Sequence, residues 1–220
     1  MNVRTQIPFY FSIGLGLSVF MAISGLAPKP LAVQLSSFMH MLKGTHTQPK
    51  EKRPFNFHTI RPKLILGRQF RDENDLNLLI QQHNVEAIVT LNEEWELFLP
   101  SSKVIAALGG KEANRMRFSV PDYQAPSQEE LDRTVEFMKR HIDEGRTVYV
   151  HCNAGRGRSA TVVAAYLIET ESKWKSASEV IHHMRSLRPT VSFGLLDWPF
   201  RGQARAVVTY FNRSRKKKAA

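Results

Sequence analysis

Ten consecutive residues carry the densest chemistry in the chain: Val150-His151-Cys152-Asn153-Ala154-Gly155-Arg156-Gly157-Arg158-Ser159. Cys152 is the one cysteine among 220 residues, so no disulfide within the chain is open to it. A buried apolar role or chemistry at sulfur remains. The context favours chemistry. Aliphatic and aromatic residues lead up to Cys152, two glycines follow it, and an apolar helical pattern opens at Arg158, giving strand, sharp turn and helix. Glycines let such a turn aim successive peptide N–H groups inward. Those amides, with the positive end of the helix, make a nest for a dianion. The same field favours a thiolate at Cys152. At the helix start, the planar guanidinium of Arg158 can hold two equatorial phosphate oxygens. The chemistry implied is attack by sulfur on a phosphate ester.

Expelling an unprotonated alkoxide is unfavourable, so an acid is needed. Asp122, in Ser119-Val120-Pro121-Asp122-Tyr123, follows a predicted strand and is the candidate. Asp72, Asp75 and Asp132 fall in helical patterns, where solvated faces account for them.

The elements that must position these residues are legible as short runs. Strands are predicted at Leu64–Leu66, Ala87–Leu91, Met116–Val120 and Val148–His151. Ser127-Gln-Glu-Glu130 is a capping box opening a helix through Leu131, Val135, Met138 and Ile142, with Gly145 as its C-terminal stop. Ser176-Ala-Ser-Glu179 reads as a second capping box, and Pro189 ends that helix. The run Arg158 to Thr170 is nearly all apolar and is expected as a buried central helix. Alternating strands and helices imply an α/β fold with a central, mainly parallel sheet flanked by helices, and ligands bind beyond the carboxyl ends of such strands. Cys152 stands at one of those ends.

The loop resembles the His-Cys-x-x-Gly-x-x-Arg-Ser/Thr active-site loop of protein tyrosine and dual-specificity phosphatases, and the resemblance runs from about Phe55 to Phe211. It implies a phosphocysteine intermediate at Cys152 with neither metal nor cofactor. It also implies that His151 helps set the thiolate and that Ser159 assists its departure. Asn153, Ala154, Gly155, Arg156 and Gly157 would line the phosphate, and the spacing of Asp122 is similar to that of the family's acid loop. Three stretches resemble the mitochondrial branch that dephosphorylates phosphatidylglycerophosphate. They are Phe57-His58-Thr59-Ile60-Arg61-Pro62-Lys63-Leu64-Ile65-Leu66-Gly67, Asn92-Glu93-Glu94-Trp95-Glu96, and the loop and helix from Val148 through Cys152 and Ser159 to Ile168. In that branch the acidic loop lies beside the site, which makes Glu93, Glu94 and Glu96 candidates. Trp95 stands where the branch has Tyr, Asn153 where Lys is common, and Gly157 where it has Ser. Lipid phosphate is the first substrate expectation. Phosphoproteins, phosphoinositides and phosphoglucans are alternatives, as is a retired phosphate-binding module, against which intact Cys152, Arg158 and Asp122 argue.

The rest of the chain bears on location. With 42% apolar and 23% charged residues the composition is that of a folded protein, and the net charge of +11 favours an anionic partner. That partner is expected to be a phosphorylated substrate and an anionic membrane, with no nucleic acid. Residues 7–27 carry no charge, and no acid precedes Glu51. A run of that length suits a membrane anchor, while an organelle-targeting presequence would also lack acids. The expected division is a hydrophobic segment (1–33), a linker (34–54), a phosphatase domain (55–212) and a basic tail (213–220). The expected location is a mitochondrial membrane, with endoplasmic reticulum as the alternative.

Overall fold

A computed structural model describes residues 54–193 and 202–219, so the apolar run 7–27 and most of the expected linker lie outside the described residues. In chain order the strands are β1 (Phe57–Arg61), β2 (Leu64–Arg68), β3 (Val85–Thr90), β4 (Arg115–Arg117) and β5 (Thr147–Cys152). The helices are α1 (Glu73–His83), α2 (Ser101–Ala107), α3 (Gln128–Asp143), α4 (Arg158–Thr170), α5 (Ala177–Leu187) and α6 (Gly202–Ala219).

The sheet order is β1-β2-β5-β3-β4. β1 runs antiparallel to β2, and every other pairing is parallel, so the mainly parallel sheet is found as expected. β5 lies at the centre with all six residues buried, because helices cover both faces of a parallel sheet. Side chains alternate across it. Val148, Val150 and Cys152 pack with α3, α4, α5 and α6, whereas Tyr149 joins the smaller core under α1 and α2. That alternation decides which neighbours of Cys152 can reach a ligand.

Two strand expectations are corrected. β1 was not anticipated: its polar pattern is that of an edge strand, and it reaches β2 through a turn with Lys63 at φ 66°. The expected strand Met116–Val120 is instead the short β4, after which a single backbone bond from Phe118 to Thr90 continues the pairing before Pro121. The capping box at Ser127 and Glu130 forms with both reciprocal bonds, and Gly145 takes φ 79° just past α3. At α5 only half of the second box forms, because the Glu179 carboxylate accepts from Lys175 N and not from the cap residue, Ser176.

The run Arg213–Lys218 is the end of α6, continuous with the domain, and not a separate tail. The aspartates expected on solvated faces also have local work. Asp72 caps α1, and Asp75, nearly buried, accepts from Arg71. Among the described residues no helix is long and apolar enough to cross a membrane.

Candidate active site

Cys152 ends β5 with 3% of its surface exposed, and the chain turns beneath it into α4. The loop's carbonyls are held from outside. Gln69 N donates to Asn153 O, Arg188 Nη2 to Ala154 O, Arg188 Nε to Gly155 O, and Ser192 N to Arg156 O. Across a trans peptide the N–H points opposite to the C=O, so the amides of Ala154, Gly155, Arg156 and Gly157 turn toward the cleft. This is the expected nest, built by tethering four carbonyls.

The two loop glycines serve different ends. Gly155 has φ 67°, and a Cβ there would meet Gly67 O at 2.3 Å, so the loop can lie against the end of β2 only without a side chain. Gly157 has φ −115°, an ordinary value. A Cβ at Gly157 would fall 2.3 Å from Gln203 Oε1, so glycine there makes room for a side chain from α6.

Ser159 Oγ donates to Cys152 Sγ at 3.2 Å. Arg158 is 1% exposed and grips Glu96 with two bonds, Nη1 to Oε2 at 2.6 Å and Nη2 to Oε1 at 2.8 Å, while Nη1 also donates to Val120 O. Its Nη2 lies 3.3 Å from Asp122 Oδ1. Burial opposes the charge on Arg158, yet the carboxylates of Asp122 and Glu96 and the Cys152 sulfur outweigh it and hold the guanidinium firmly protonated. Its Nε–H is buried and meets no acceptor among the described residues.

A cleft of about 310 Å³ opens over this cluster. Cys152, Asn153, Ala154, Arg156, Gly157, Arg158 and Asp122, all expected at the site, line it. Ser192, Tyr123 and Gln203 line it too and were not expected. Gln203 Nε2 donates to Gln124 O, which ties α6 to the loop carrying Asp122. Within that loop Tyr123 takes φ 65° and gives its N–H to Asp122 Oδ1. Gln203 lies far downstream in no local motif, and Arg188 reads in sequence only as the residue before a proline. Neither could be found without the fold.

Four expectations change. His151 does not touch the cleft, because alternation along β5 turns it to the opposite face. There it is fully buried, with Nε2 on Thr90 Oγ1 at 3.0 Å. Burial, with the nearby positive charges of Arg115 and Arg158, pushes its pKa down to about 3, so it is a neutral ring at physiological pH and not a cation beside the sulfur. Glu96, Glu93 and Glu94 do not line the cleft either. Glu96 acts through Arg158. Glu93 is buried in the turn Glu94–Glu96, where its N–H donates to Glu96 Oε2, and Glu94 is solvent-facing and pairs with Arg117.

A lone thiol under four inward amides, beside a buried arginine at a helix start, is the arrangement a cysteine-dependent phosphatase requires. A family model described as "Polymorphic toxin system, DSP-PTPase phosphatase" matches residues 68–172. The chain is 34% identical over 134 residues to the Arabidopsis thaliana phosphatidylglycerophosphate phosphatase PTPMT1. It is 36% identical over 135 residues to the Homo sapiens phosphatidylglycerophosphatase and protein-tyrosine phosphatase 1. Each match takes in 60% of this chain but only 36% and 64% of those two proteins, so the chain spans part of their length. The crystal structure of PTPMT1 in complex with PI(5)P superposes with a TM-score of 0.64 at 30% identity, covering 74% of this chain and 99% of that one. The chain belongs to the cysteine-dependent protein-tyrosine phosphatase superfamily, near PTPMT1.

Proposed function

We propose that this chain is a phosphomonoesterase working through a phosphocysteine at Cys152, with phosphatidylglycerophosphate as its substrate. The observation that carries the reading is the unengaged edge of Arg158: a buried Nε–H without an acceptor, beside an Nη2 that reaches Asp122 at 3.3 Å, at the floor of the cleft holding Cys152. A phosphate oxygen would satisfy that donor.

In the first step Cys152 Sγ forms a bond to phosphorus as the P–O bond to the alcohol breaks, and Asp122 gives its proton to the departing oxygen. The four amides and Arg158 hold the equatorial oxygens throughout. In the second step water attacks phosphorus, Asp122 takes up the proton, and the S–P bond breaks. Ser159 Oγ, 3.2 Å from Sγ, donates to the leaving thiolate. Glu96 and Gln203 touch no reacting atom and are positioning residues.

The lipid assignment is supported by the activities that the relatives are named for and by the chain's positive charge and apolar amino-terminal run. We extend it to an anionic, mitochondrial membrane surface as the place of action. A protein phosphatase at the same surface is the second reading, because one relative's name carries both activities. Purified full-length chain assayed against phosphatidylglycerophosphate, phosphopeptides and phosphoinositides is expected to show its highest kcat/KM on phosphatidylglycerophosphate, and Cys152→Ser to abolish release. Faster turnover of peptides would overturn the substrate, and an active Cys152→Ser protein the mechanism.

A further inference from the structure

A second cavity, about 390 Å³, adjoins the catalytic cleft. The two share Ala154 and Arg156 as walls, so a ligand spanning them would cross the outer rim of the catalytic loop. Three arginines, Arg68, Arg156 and Arg188, line this second cavity, and among the described residues that line it none is Asp or Glu. Arg68 comes from the end of β2, Arg156 from the loop and Arg188 from the end of α5.

Arg188 is the unusual member. It is 1% exposed, yet every group it bonds is neutral: Gly155 O, Ala154 O, Asn56 Oδ1 and the Nδ1 of His58. A buried guanidinium ordinarily has a carboxylate beside it, as Arg158 has Glu96. Burial chiefly lowers the proton affinity of Arg188; the like charges of Arg156 and Arg68 lower it further, against Tyr149 and the Cys152 sulfur, which raise it. Three guanidiniums gathered on one wall, the buried Arg188 held only by neutral groups, suit an anion.

We infer that Arg68, Arg156 and Arg188 form a subsite for a second phosphate on the same substrate molecule, the bridging phosphodiester of a phospholipid headgroup. The inference rests on the reading that a phosphomonoester lies over Cys152. It narrows the substrate class to headgroups that carry both groups a few bonds apart.

The test is calorimetric binding to the full-length chain carrying Cys152→Ser, which needs no turnover. It therefore reads the subsite even if phosphopeptides prove to be the better substrates. Three ligands are compared at fixed ionic strength: glycerol 1-phosphate, glycerol 1,3-bisphosphate and short-chain phosphatidylglycerophosphate below its micellar concentration. The bisphosphate and the lipid are expected to bind at least about tenfold tighter than the monophosphate, the scale of one charge-assisted bond. Arg68→Gln added to the same background is expected to shrink both ratios to within about twofold, and Arg156→Gln to do the same. Arg188 is left intact because it also tethers the loop. Equal affinity for monophosphate and bisphosphate, or ratios indifferent to Arg68→Gln and Arg156→Gln, would overturn the subsite. Tight bisphosphate binding with a lipid no better than the monophosphate would overturn its assignment to the diester.

Discussion

Arg158 has to be held still and charged inside the protein, and Glu96 does both. The two side chains are 1% and 2% exposed and share two bonds. Removing one partner of a buried pair leaves the other charge uncompensated, which costs about 3 kcal/mol or more. Glu96→Gln is therefore expected to lower stability in urea unfolding by roughly that amount. It should also cut kcat/KM about a hundredfold on alkyl and aryl phosphates alike, since phosphate binding precedes leaving-group departure. Wild-type affinity for inorganic phosphate in that variant would contradict the positioning role. Asp122→Asn should separate the two substrates. Hydrolysis of the lipid, whose alkoxide needs the proton, falls much further than that of an activated aryl phosphate, and equal losses would remove Asp122 from the acid role. A third expectation concerns His151. With its folded pKa near 3 and an unfolded value near 6.5, the unfolded chain takes up the proton first as pH falls. Stability contributed by the neutral ring is complete above about pH 6.5 and declines below it by up to about 1.4 kcal/mol per pH unit. Unfolding free energies that stay flat between pH 6.5 and 5 would show that the ring is not held neutral. At this scale the residues that the sequence groups by contiguity, Cys152, Arg158 and Ser159, are also brought together in the structure. The sequence reading misplaced Glu93, Glu94, Glu96 and His151, none of which lines the cleft, because a motif gives proximity in chain and not the direction a side chain faces.

Elements position the site by close approach of backbones. The catalytic loop sits against the backbone at the end of β2 because Gly155 has no side chain where it meets Gly67 O. Gly155→Ala would drive a methyl into backbone atoms at 2.3 to 2.8 Å and impose φ 67° on alanine. The loop must then lift, so phosphate binding and turnover should fall by more than about a hundredfold. Gly110 has φ 74° but nothing within 4 Å of its would-be Cβ. Gly110→Ala should cost only about 1 kcal/mol of conformational strain and leave kcat/KM within about twofold. Paired assays with melting curves test this, and a Gly155→Ala protein as active as Gly110→Ala would count against the close-packing account. The elements themselves were legible to different degrees. The start and end of α4 match the expected helix because a nearly continuous apolar run marks it, and the box at Ser127 opens α3 as expected. The edge strand β1 escaped because its partner is on one side only and its pattern is polar. β4 was misplaced because three half-buried residues give no periodicity to read.

At the scale of the whole molecule, α6 closes the fold over the cleft at one end and over α3 and α4 at the other. Gln203, in its first turn, touches the catalytic loop at Gly157 and the acid loop at Gln124. Its basic end is bonded to the domain. Arg213 makes two bonds to Asp132, Ser214 donates to Glu169, Arg215 to Trp174 O, and Lys218 to Ile168 O and Glu169 O at the carboxyl end of α4. The pair with Asp132 is nearly half exposed and contributes little. Lys218 meets the negative end of a helix dipole, worth about 0.3–1 kcal/mol, and the buried Ser214 adds about one hydrogen bond's worth. Together these suggest about 2 kcal/mol from the last turns, a few degrees in Tm for a domain of this size. A chain ending at Asn212 is therefore expected to melt several degrees lower and also to bind anionic vesicles less well, since Lys216 and Lys217 are exposed on the same helix. A tail serving the membrane alone would lose vesicle binding with an unchanged Tm, and a purely structural one would lose stability with unchanged vesicle binding. Either single result would show that the end of α6 has one of these two roles and not both.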